Sequence, residues 1–337
     1  MAWSVTGTRV SNAAGDVPNA YVNQYAKTVL TEAQQAIRKL PSHMITMPIS
    51  GYEAYVDVIH PFEYGLSGKL DTTANTPNFA TATREAGPIQ VGSRYEPTKF
   101  QHAEWFRVRV SASEYRMTVP FERNDAKRML TDPRSPIVQE MIKSFNRKVD
   151  QICYNSFAAD RSIGLENAGT WTWTDTPFSG ATVGTIDGGF TVDLVQEIIK
   201  QFQYDEEDLQ AERPVILLEE NGWKQLFKDQ TFISRDYNPN APLPAYQLRE
   251  YMGCLFVWMS SKRLSTVYQG QKNVVTTYAW LPSAMRFAVE KEMEVIVSQR
   301  PDLNNCLQVW MELSIGAARI RDTGVIKVIY DQKYQAE

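Results

Sequence analysis

The chain has 337 residues, of which 43% are apolar and 22% charged, and its 35 basic and 39 acidic side chains give a formal net charge of −4. This balance excludes a strongly basic nucleic-acid binder, and no apolar stretch near Cys254 approaches the roughly 18 residues that a membrane helix needs. The three scattered cysteines and an N-terminus without a basic-then-apolar signal pattern predict a soluble intracellular protein without a disulfide framework.

The N-terminal region divides into two parts. Residues 1–20 are small, polar and non-periodic, so they cannot bury enough apolar surface to order alone. Residues 21–40 carry apolar side chains at steps of three and four, which predicts an amphipathic helix that ends before Pro41.

Two later segments alternate between apolar and polar residues, as strands with one buried face do. The first covers residues 52–60 and has acidic residues on its polar face; the second covers 105–111 and has Arg107 and Arg109 there. Because opposite charges across an antiparallel ladder attract, the two strands are predicted to pair, with the register left open.

Residues 61–101, between these strands, are rich in Gly and Pro and have few periodic apolar positions. A loop of this length is uncommon inside a compact domain, and an isolated two-stranded hairpin is marginally stable. The sequence therefore predicts a long hairpin and loop that pack on something outside their own subunit.

The clearest helix follows Asp132 and extends to about Ala159. Ser135 is a suitable N-cap and Pro136 suits the first helical position. One apolar stripe runs along this helix, and Arg147 and Asp150, three residues apart, lie off it on a common face.

The second half of the chain predicts further α and β elements. Residues 161–189 are predicted to form a hairpin or a projecting loop around Trp171 and Trp173. Residues 191–285 are predicted to alternate helices and strands, with a Pro-rich loop at 235–250. Residues 307–315 alternate strictly, Asp322-Thr323-Gly324 is a turn, and 325–330 is the predicted return strand.

Sequence motifs for catalysis or phosphate binding are absent from the chain. Its three histidines lie in separate predicted elements, and the acidic run 205–208 lacks the glycine and spacing of a calcium loop, which favours a solvated helix end. Glu219 and Glu220 are adjacent on a strand end and point to opposite faces, so they do not form a catalytic pair. The sequence therefore predicts no enzyme, no metal site and no cofactor.

Two residue patterns remain open to more than one interpretation. Trp171 and Trp173 would share one face of a strand, either as a sugar-stacking platform or as a subunit contact, and tryptophan is enriched at interfaces. Arg107 and Arg109 are the residues most similar to a basic stripe. They either bind nucleic acid or pair with a residue of a neighbouring strand.

Several short segments occur in a definite order along the chain: Pro120–Asp125, Asp132–Pro136, Arg147–Asp150 on the long helix, Asp229–Tyr237, Arg300–Asp302 and Gly316–Arg319. Their order and spacing resemble the major capsid proteins of tailed bacteriophages, which have the Hong Kong 97-like fold. The resemblance covers roughly residues 50–330.

The resemblance implies an α+β fold with four parts. They are an N-terminal arm at 1–49, an extended β-hairpin loop at 50–118 that lies over a neighbouring subunit, a peripheral domain at 119–188 and 286–337 around the long spine helix, and an α/β axial domain at 189–285.

The same resemblance implies a structural protein of the virion that self-assembles, in the host bacterial cytoplasm, into an icosahedral shell of hexamers and pentamers around double-stranded DNA. The mild acidity suits a container that holds DNA without specific binding, because phosphate contacts come chiefly from Lys and Arg. The other implied partners are a portal protein, a decoration protein and, because no charged helical segment precedes the arm, a separate scaffolding protein.

We expect the subunit contacts to involve polar and aromatic residues of the loop, the spine helix and the axial loop: Lys69, Arg84, Arg94, Arg107, Arg109, Arg147, Asp150, Trp171, Trp173 and Tyr246. Some members of the family crosslink through a lysine of the extended loop. Lys69 is the only lysine between Lys39 and Lys99, and because no partner motif accompanies it, an ordinary salt bridge is favoured over a crosslink. Two alternatives stay open: an encapsulin-type compartment with the same fold, and a carbohydrate-binding or hydrolytic α/β protein that uses Trp171, Trp173 and Glu219.

Overall fold

The computed structural model of this chain describes residues 37–59, 105–121, 134–167, 170–228, 250–268, 270–303 and 305–334. Most of the predicted arm helix, the loop at 61–101 and most of the Pro-rich loop lie outside these residues, as do Lys69, Arg84, Arg94 and Tyr246. Within the described part, no helix is long and apolar enough to cross a membrane.

The described part consists mostly of strands, with three α-helices between them. The α-helices there are α1 (Arg134–Ala158), α2 (Val192–Tyr204) and α3 (Glu220–Leu226). The strands are β1 (Ile45–Pro48), β2 (Glu53–Ile59), β3 (Trp105–Ser111), β4 (Ser113–Phe121), β5 (Arg161–Asn167), β6 (Thr170–Thr176), β7 (Thr182–Gly184), β8 (Val215–Leu218), β9 (Glu250–Tyr251), β10 (Cys254–Trp258), β11 (Ser265–Tyr268), β12 (Gln271–Trp280), β13 (Met285–Arg300), β14 (Cys306–Arg319) and β15 (Val325–Asp331).

The chain divides into two compact units. The smaller consists of Met1–Gln34, Met117–Ile142 and Val295–Met311, and the larger of Gln35–Arg116, Lys143–Glu294 and Glu312–Glu337. In the smaller unit the turn after β13 carries an Arg300–Asp302 ion pair. All the sites discussed below belong to the larger unit.

A seven-stranded mixed sheet has the strand order β7-β15-β12-β8-β10-β9, with β11 paired to β12. It combines β7 and β15, from the segments predicted as peripheral, with strands of the segment predicted as axial. The predicted return of β15 alongside β14 is wrong, because β15 pairs with β12 and β7 instead. The Asp322–Gly324 turn therefore carries the chain from one sheet into another.

A four-stranded sheet has the order β1-β13-β14-β4. The strict alternation of β14 predicted that Glu312 and Ser314 lie on its polar face. Both are nevertheless buried, because Glu312 pairs with Arg116 and Lys291, and the Ser314 hydroxyl donates to Glu290. This strand is thus covered on both faces in the larger unit.

The second four-stranded sheet, β2-β3-β5-β6, contains the two alternating strands found in the sequence. Their predicted antiparallel pairing is confirmed, and the register places Asp57 opposite Arg107 and Tyr55 opposite Arg109. The predicted hairpin around Trp171 and Trp173 is β5 and β6. Most of the extended-loop and hairpin residues described therefore belong to one sheet.

Helix α1 is the predicted long helix, 25 residues in length, and it begins at Arg134, one residue before the predicted Ser135 cap. Its apolar stripe is buried at Met141, Phe145, Val149 and Cys153. In the larger unit, Phe157 packs against the rings of Tyr278 and Trp280 on β12 at centroid distances of 5.0 and 4.8 Å. The aromatic contacts position the C-terminal end of α1 on the seven-stranded sheet.

The predicted helix at 21–40 does not extend to its expected end. Residues 37–40 are not helical. The backbone N–H groups of Lys39 and Leu40 donate to the Asp150 carboxylate of α1, at 2.9 and 3.1 Å, instead of to carbonyls four residues earlier. A partner far away in sequence therefore overrides the local helical pattern.

Candidate assembly interface

The sheet β2-β3-β5-β6 has one buried apolar face and one exposed face. On the buried face, Phe106, Val108 and Val110 form a core with Ile163 and Leu165 of β5. Alternate residues point to the opposite side. We call that side the ladder face, which consists of Glu53, Tyr55, Asp57, Arg107, Arg109, Trp171 and Trp173.

Charges on the ladder face are paired across the strands. Arg107 binds Asp57 through two hydrogen bonds, Nε to Oδ1 at 2.5 Å and Nη2 to Oδ2 at 3.1 Å. Arg109 reaches Glu53 at 3.5 Å. The hydrogen bonds from Arg107 lower the pKa of the Asp57 carboxyl. Both arginines thus have cross-strand carboxylate partners, as the alternating pattern predicted.

Aromatic rings lie beside these arginines. The Arg107 guanidinium is 4.2 Å from the centroid of Trp171, and that of Arg109 is 5.6 Å from Trp173. Tyr55 and Trp173 lie 5.2 Å apart between centroids. A Cβ on Gly164 would come within 2.9 Å of the Trp173 ring, so the glycine makes room for this indole against the sheet.

The ladder face therefore combines exposed rings with two arginines that are already paired with carboxylates of the same chain. Tyr55 is 48% exposed and Trp173 36% exposed. Tyr, Trp and Arg are the residues most enriched at the energetic centres of protein interfaces. This composition suits contact with another protein surface better than contact with polyanionic nucleic acid.

Arg107→Glu should weaken this sheet, because it places two carboxylates directly opposite each other. We expect a lower melting temperature, measured by circular dichroism, and restoration by the double exchange Asp57→Arg/Arg107→Asp. Equal melting temperatures for the wild-type chain and Arg107→Glu would contradict the role of this pair.

Asp150, predicted at an exposed or buried polar contact, is 1% exposed. The backbone N–H groups of Lys39 and Leu40 donate to Asp150, and the residue before them, Arg38, also contacts α1. Arg38 Nε donates to Asn146 Oδ1 at 3.0 Å. Lys39 Nζ donates to the Trp258 carbonyl at 3.0 Å, and burial lowers the pKa of Lys39 while the Asp150 charge opposes that shift. We call Arg38, Lys39, Leu40, Asn146 and Asp150 the arm junction. Arg147, three residues before Asp150 on α1, is half-buried.

The buried guanidinium of Arg319 binds the C-terminal end of α1. Arg319 is 1% exposed, and its Nη1 donates to the carbonyls of Phe157 and Ala159 at 2.5 and 3.0 Å. Its Nε pairs with Asp322, which also pairs with Arg161 at 3.2 Å. The cation complements the negative end of the helix dipole. Arg319 belongs to the Gly316–Arg319 segment, whose sequence did not reveal this role.

The acidic run at 205–208 forms contacts within the chain. Glu207 pairs with Arg321 at 3.1 Å and accepts a hydrogen bond from Thr323. Asp208 accepts the backbone N–H groups of Gln210 and Ala211. Among the described residues, no group of three or more metal-ligating side chains occurs.

Glu219 and Glu220 point to different partners, as adjacent residues at a strand end should. Burial disfavours the charged form of Glu220, but hydrogen bonds from Ser261 outweigh this and lower its pKa. Glu219 is fully buried, and its carboxylate accepts a hydrogen bond from Gln332 Nε2 at 3.2 Å. Burial and the nearby Glu220 raise the pKa of Glu219 to about 7.

Glu219→Gln should increase stability above neutral pH. In the native chain the Glu219 carboxyl keeps its proton up to about pH 7, whereas in the unfolded chain the carboxyl loses the proton near pH 4.5. The stability that Glu219 contributes is therefore fully present below pH 4.5 and is lost as the pH rises through 7. Glutamine stays neutral, and at pH 8 the variant should gain up to about 3 kcal/mol in unfolding free energy.

Urea denaturation of both chains at pH 5 and pH 8 measures this difference. The exposed Glu197→Gln is the matched control and should show the same difference from wild type at both pH values. A pH-independent difference for Glu219→Gln would contradict the buried, protonated carboxyl.

Sequence reasoning missed several of these residues. Tyr55 could have been added to the interface candidates, because it lies between Glu53 and Asp57 on the polar side of an alternating strand. The junction of Lys39 and Leu40 with Asp150 and the role of Arg319 had no local signal, since their partners are more than 100 residues away in sequence.

A protein-family model matches most of the chain. Residues 17–332 match the model of a family described as phage capsid protein. No protein of curated function matches the chain.

Solved structures share the fold. The chain is similar to one in the capsid of the cyanophage P-SCSP1u, with 14% identity, a TM-score of 0.65, and 95% and 96% of the two chains covered. It is also similar to chains in the capsids of the Ralstonia phage GP4 (12% identity, TM-score 0.62, 98% and 100% covered) and the cyanophage Pam1 (11% identity, TM-score 0.64, 96% and 100% covered). The predicted α+β capsid fold is thereby confirmed.

Proposed function

Because the chain belongs to the phage capsid protein family, we propose that it assembles with copies of itself into hexamers and pentamers of an icosahedral shell that encloses double-stranded DNA. The chain is a structural protein of the virion. The observation that carries the finer proposal is the ladder face, an exposed aromatic surface on the sheet that contains β2 and β3.

The ladder face, in this proposal, contacts a neighbouring subunit. Its two arginines are paired with carboxylates of the same chain, so a neighbour can cover the rings of Tyr55, Trp171 and Trp173 without burying an unpaired guanidinium. Burying such rings is favourable, whereas burying an unpaired charge is costly. The remaining proposed contact residues are Lys69, Arg84, Arg94, Arg109, Arg147 and Tyr246, with Asp150 acting through the arm junction.

The proposed division of the subunit is an arm at 1–49, an extended loop at 50–118, a peripheral domain at 119–188 and 286–337, and an axial domain at 189–285. The long helix α1 is the spine of the peripheral domain. The arm junction supports this division, because it anchors residues just before β1 to that helix.

The proposed partners are a separate scaffolding protein, a portal protein and a decoration protein, with assembly in the host bacterial cytoplasm. The proposed contact with DNA is enclosure without specific binding. The net charge of −4 supports it, because a wall that grips phosphate needs a basic excess.

Negative-stain microscopy of the chain expressed with its scaffolding protein tests the proposal. Wild type should form closed shells or capsomer rings. Trp171→Ala/Trp173→Ala should weaken subunit association by about tenfold or more, as loss of interface hot spots does. The matched control Tyr204→Ala removes a ring that is 80% exposed on α2 and should leave assembly unchanged.

A strictly monomeric particle under all assembly conditions, with a radius of gyration near the ~20 Å of one globule of this length, would overturn the shell. Equal assembly by the double tryptophan variant and Tyr204→Ala would remove the ladder face from the interface. Closed shells formed without any scaffold and filled with enzyme cargo would instead indicate an encapsulin-type compartment.

A further inference from the structure

A concave cleft lies between α3 and the chain segment that follows β15, outside every site described above. Its volume is about 270 Å³. Lys224 and Lys228 line the α3 side, and Lys333 lines the other side, beside Gln332 and Tyr334. We call this feature the lysine cleft.

The walls of the lysine cleft are held by buried amide contacts. Gln225 Nε2 donates to the carbonyls of Asp331 and Gln332 at 2.8 and 3.2 Å, and its Oε1 accepts the Phe190 N–H at 2.7 Å. From behind, Glu219 Oε2 accepts a hydrogen bond from Gln332 Nε2. The segment that carries Lys333 is therefore fixed opposite α3 before any ligand arrives, which reduces the ordering cost of binding.

The charge of the cleft is not balanced locally. Lys224, Lys228 and Lys333 are exposed, and among the described residues none of them has a carboxylate within ion-pair distance. Some exposed bases elsewhere in the larger unit do have such partners, for example Arg213 with Glu250 and Lys291 with Glu294. Three lysines that form no ion pair with any described residue surround one concavity in a chain of net charge −4, which indicates an anionic ligand.

We propose that the lysine cleft binds an acidic peptide segment of a partner protein. Lysine ammonium groups attract carboxylates as point charges, and the side chains of Gln332 and Tyr334 offer hydrogen bonds to a peptide main chain. The phosphates of a nucleic-acid duplex lie on the outside of a convex rod, which binds flat or grooved basic surfaces. An extended peptide can instead place its side chains in a concavity of this size. The proposal assigns a site that the shell function does not use.

Fluorescence anisotropy with a labelled hexaglutamate peptide and the full, unassembled chain tests the proposal. Lys224→Gln/Lys228→Gln/Lys333→Gln should weaken binding by about tenfold, with wild-type affinity falling steeply as salt rises. The matched control Lys148→Gln/Lys200→Gln/Lys262→Gln makes the same change in net charge on exposed lysines outside the cleft, and should change affinity less than about twofold. Lys224→Arg/Lys228→Arg/Lys333→Arg keeps the charges and should keep binding.

Three results would overturn the proposal. The first is no binding of the peptide by the wild-type chain at low salt, and the second is an equal loss of peptide affinity in the two triple glutamine variants. The third is displacement of the peptide by a 20-base-pair duplex whose own binding is lost in Lys224→Gln/Lys228→Gln/Lys333→Gln but not in the control variant. The last result would assign the cleft to nucleic acid. Melting curves of each variant establish that the compared chains are folded.

Discussion

Arg319→Ala is expected to lower the free energy of unfolding by about 3–5 kcal/mol, the range for breaking a buried charged network by removal of one partner. The guanidinium is buried and donates to two carbonyls at the end of α1 and to Asp322. It also lies 4.9 Å from the ring of Phe178. Its loss leaves carbonyls without a donor and Asp322 with only Arg161 as an ionic partner in the described part.

Urea denaturation followed by tryptophan fluorescence measures this effect on the unassembled chain. Arg319→Lys keeps the charge but not the planar fork of donors, so it should also destabilise. Arg213→Ala is the matched control, because its ion pair with Glu250 is exposed on both sides, and its effect should stay within about 0.5 kcal/mol. An Arg319→Ala loss below about 1 kcal/mol would contradict the helix-end role.

Asp150→Ala is expected to cost about 2–4 kcal/mol, because two hydrogen bonds to a charged acceptor are lost and two backbone donors remain unsatisfied at the arm junction. Those donors are the N–H groups of Lys39 and Leu40. Asp150→Asn keeps an acceptor oxygen without the charge and should lose roughly half as much.

Hydrogen exchange makes this prediction specific to the junction. The amides of Lys39 and Leu40 should lose protection in Asp150→Ala, while those of β12 should change only by the global destabilisation. Glu197→Ala, an exposed residue of α2, is the matched control and should change neither stability nor exchange at the junction. Unchanged exchange of both junction amides would show that Asp150 does not hold them.

The features that sequence reasoning predicted correctly rest on local periodicity. The alternation in β2 and β3 predicted their pairing and the contact of Arg107 with a carboxylate, because opposing charges on the polar faces favour one orientation. The apolar stripe of α1 predicted its length to within a residue or two and the burial of Met141, Phe145, Val149 and Cys153.

The incorrect predictions have one common cause. Local pattern suggested that residues 37–40 continue a helix and that β15 returns beside β14. In both cases a distant partner decided otherwise: the Asp150 carboxylate for the first, and the ladders with β12 and β7 for the second. The burial of Glu312 and Ser314 was likewise not predicted, since strand alternation shows which residues share a face but not whether that face is covered.

By itself, the sequence determined the α+β class, the long helix, the paired strands and the order of segments typical of a phage capsid protein, because each depends on spacing along the chain. Only the tertiary structure decided which charges are buried, where the residues before β1 are anchored, and that Lys224, Lys228 and Lys333 surround one cleft. These arrangements join residues about a hundred positions apart, and hydrogen bonds between such residues leave no period in the sequence.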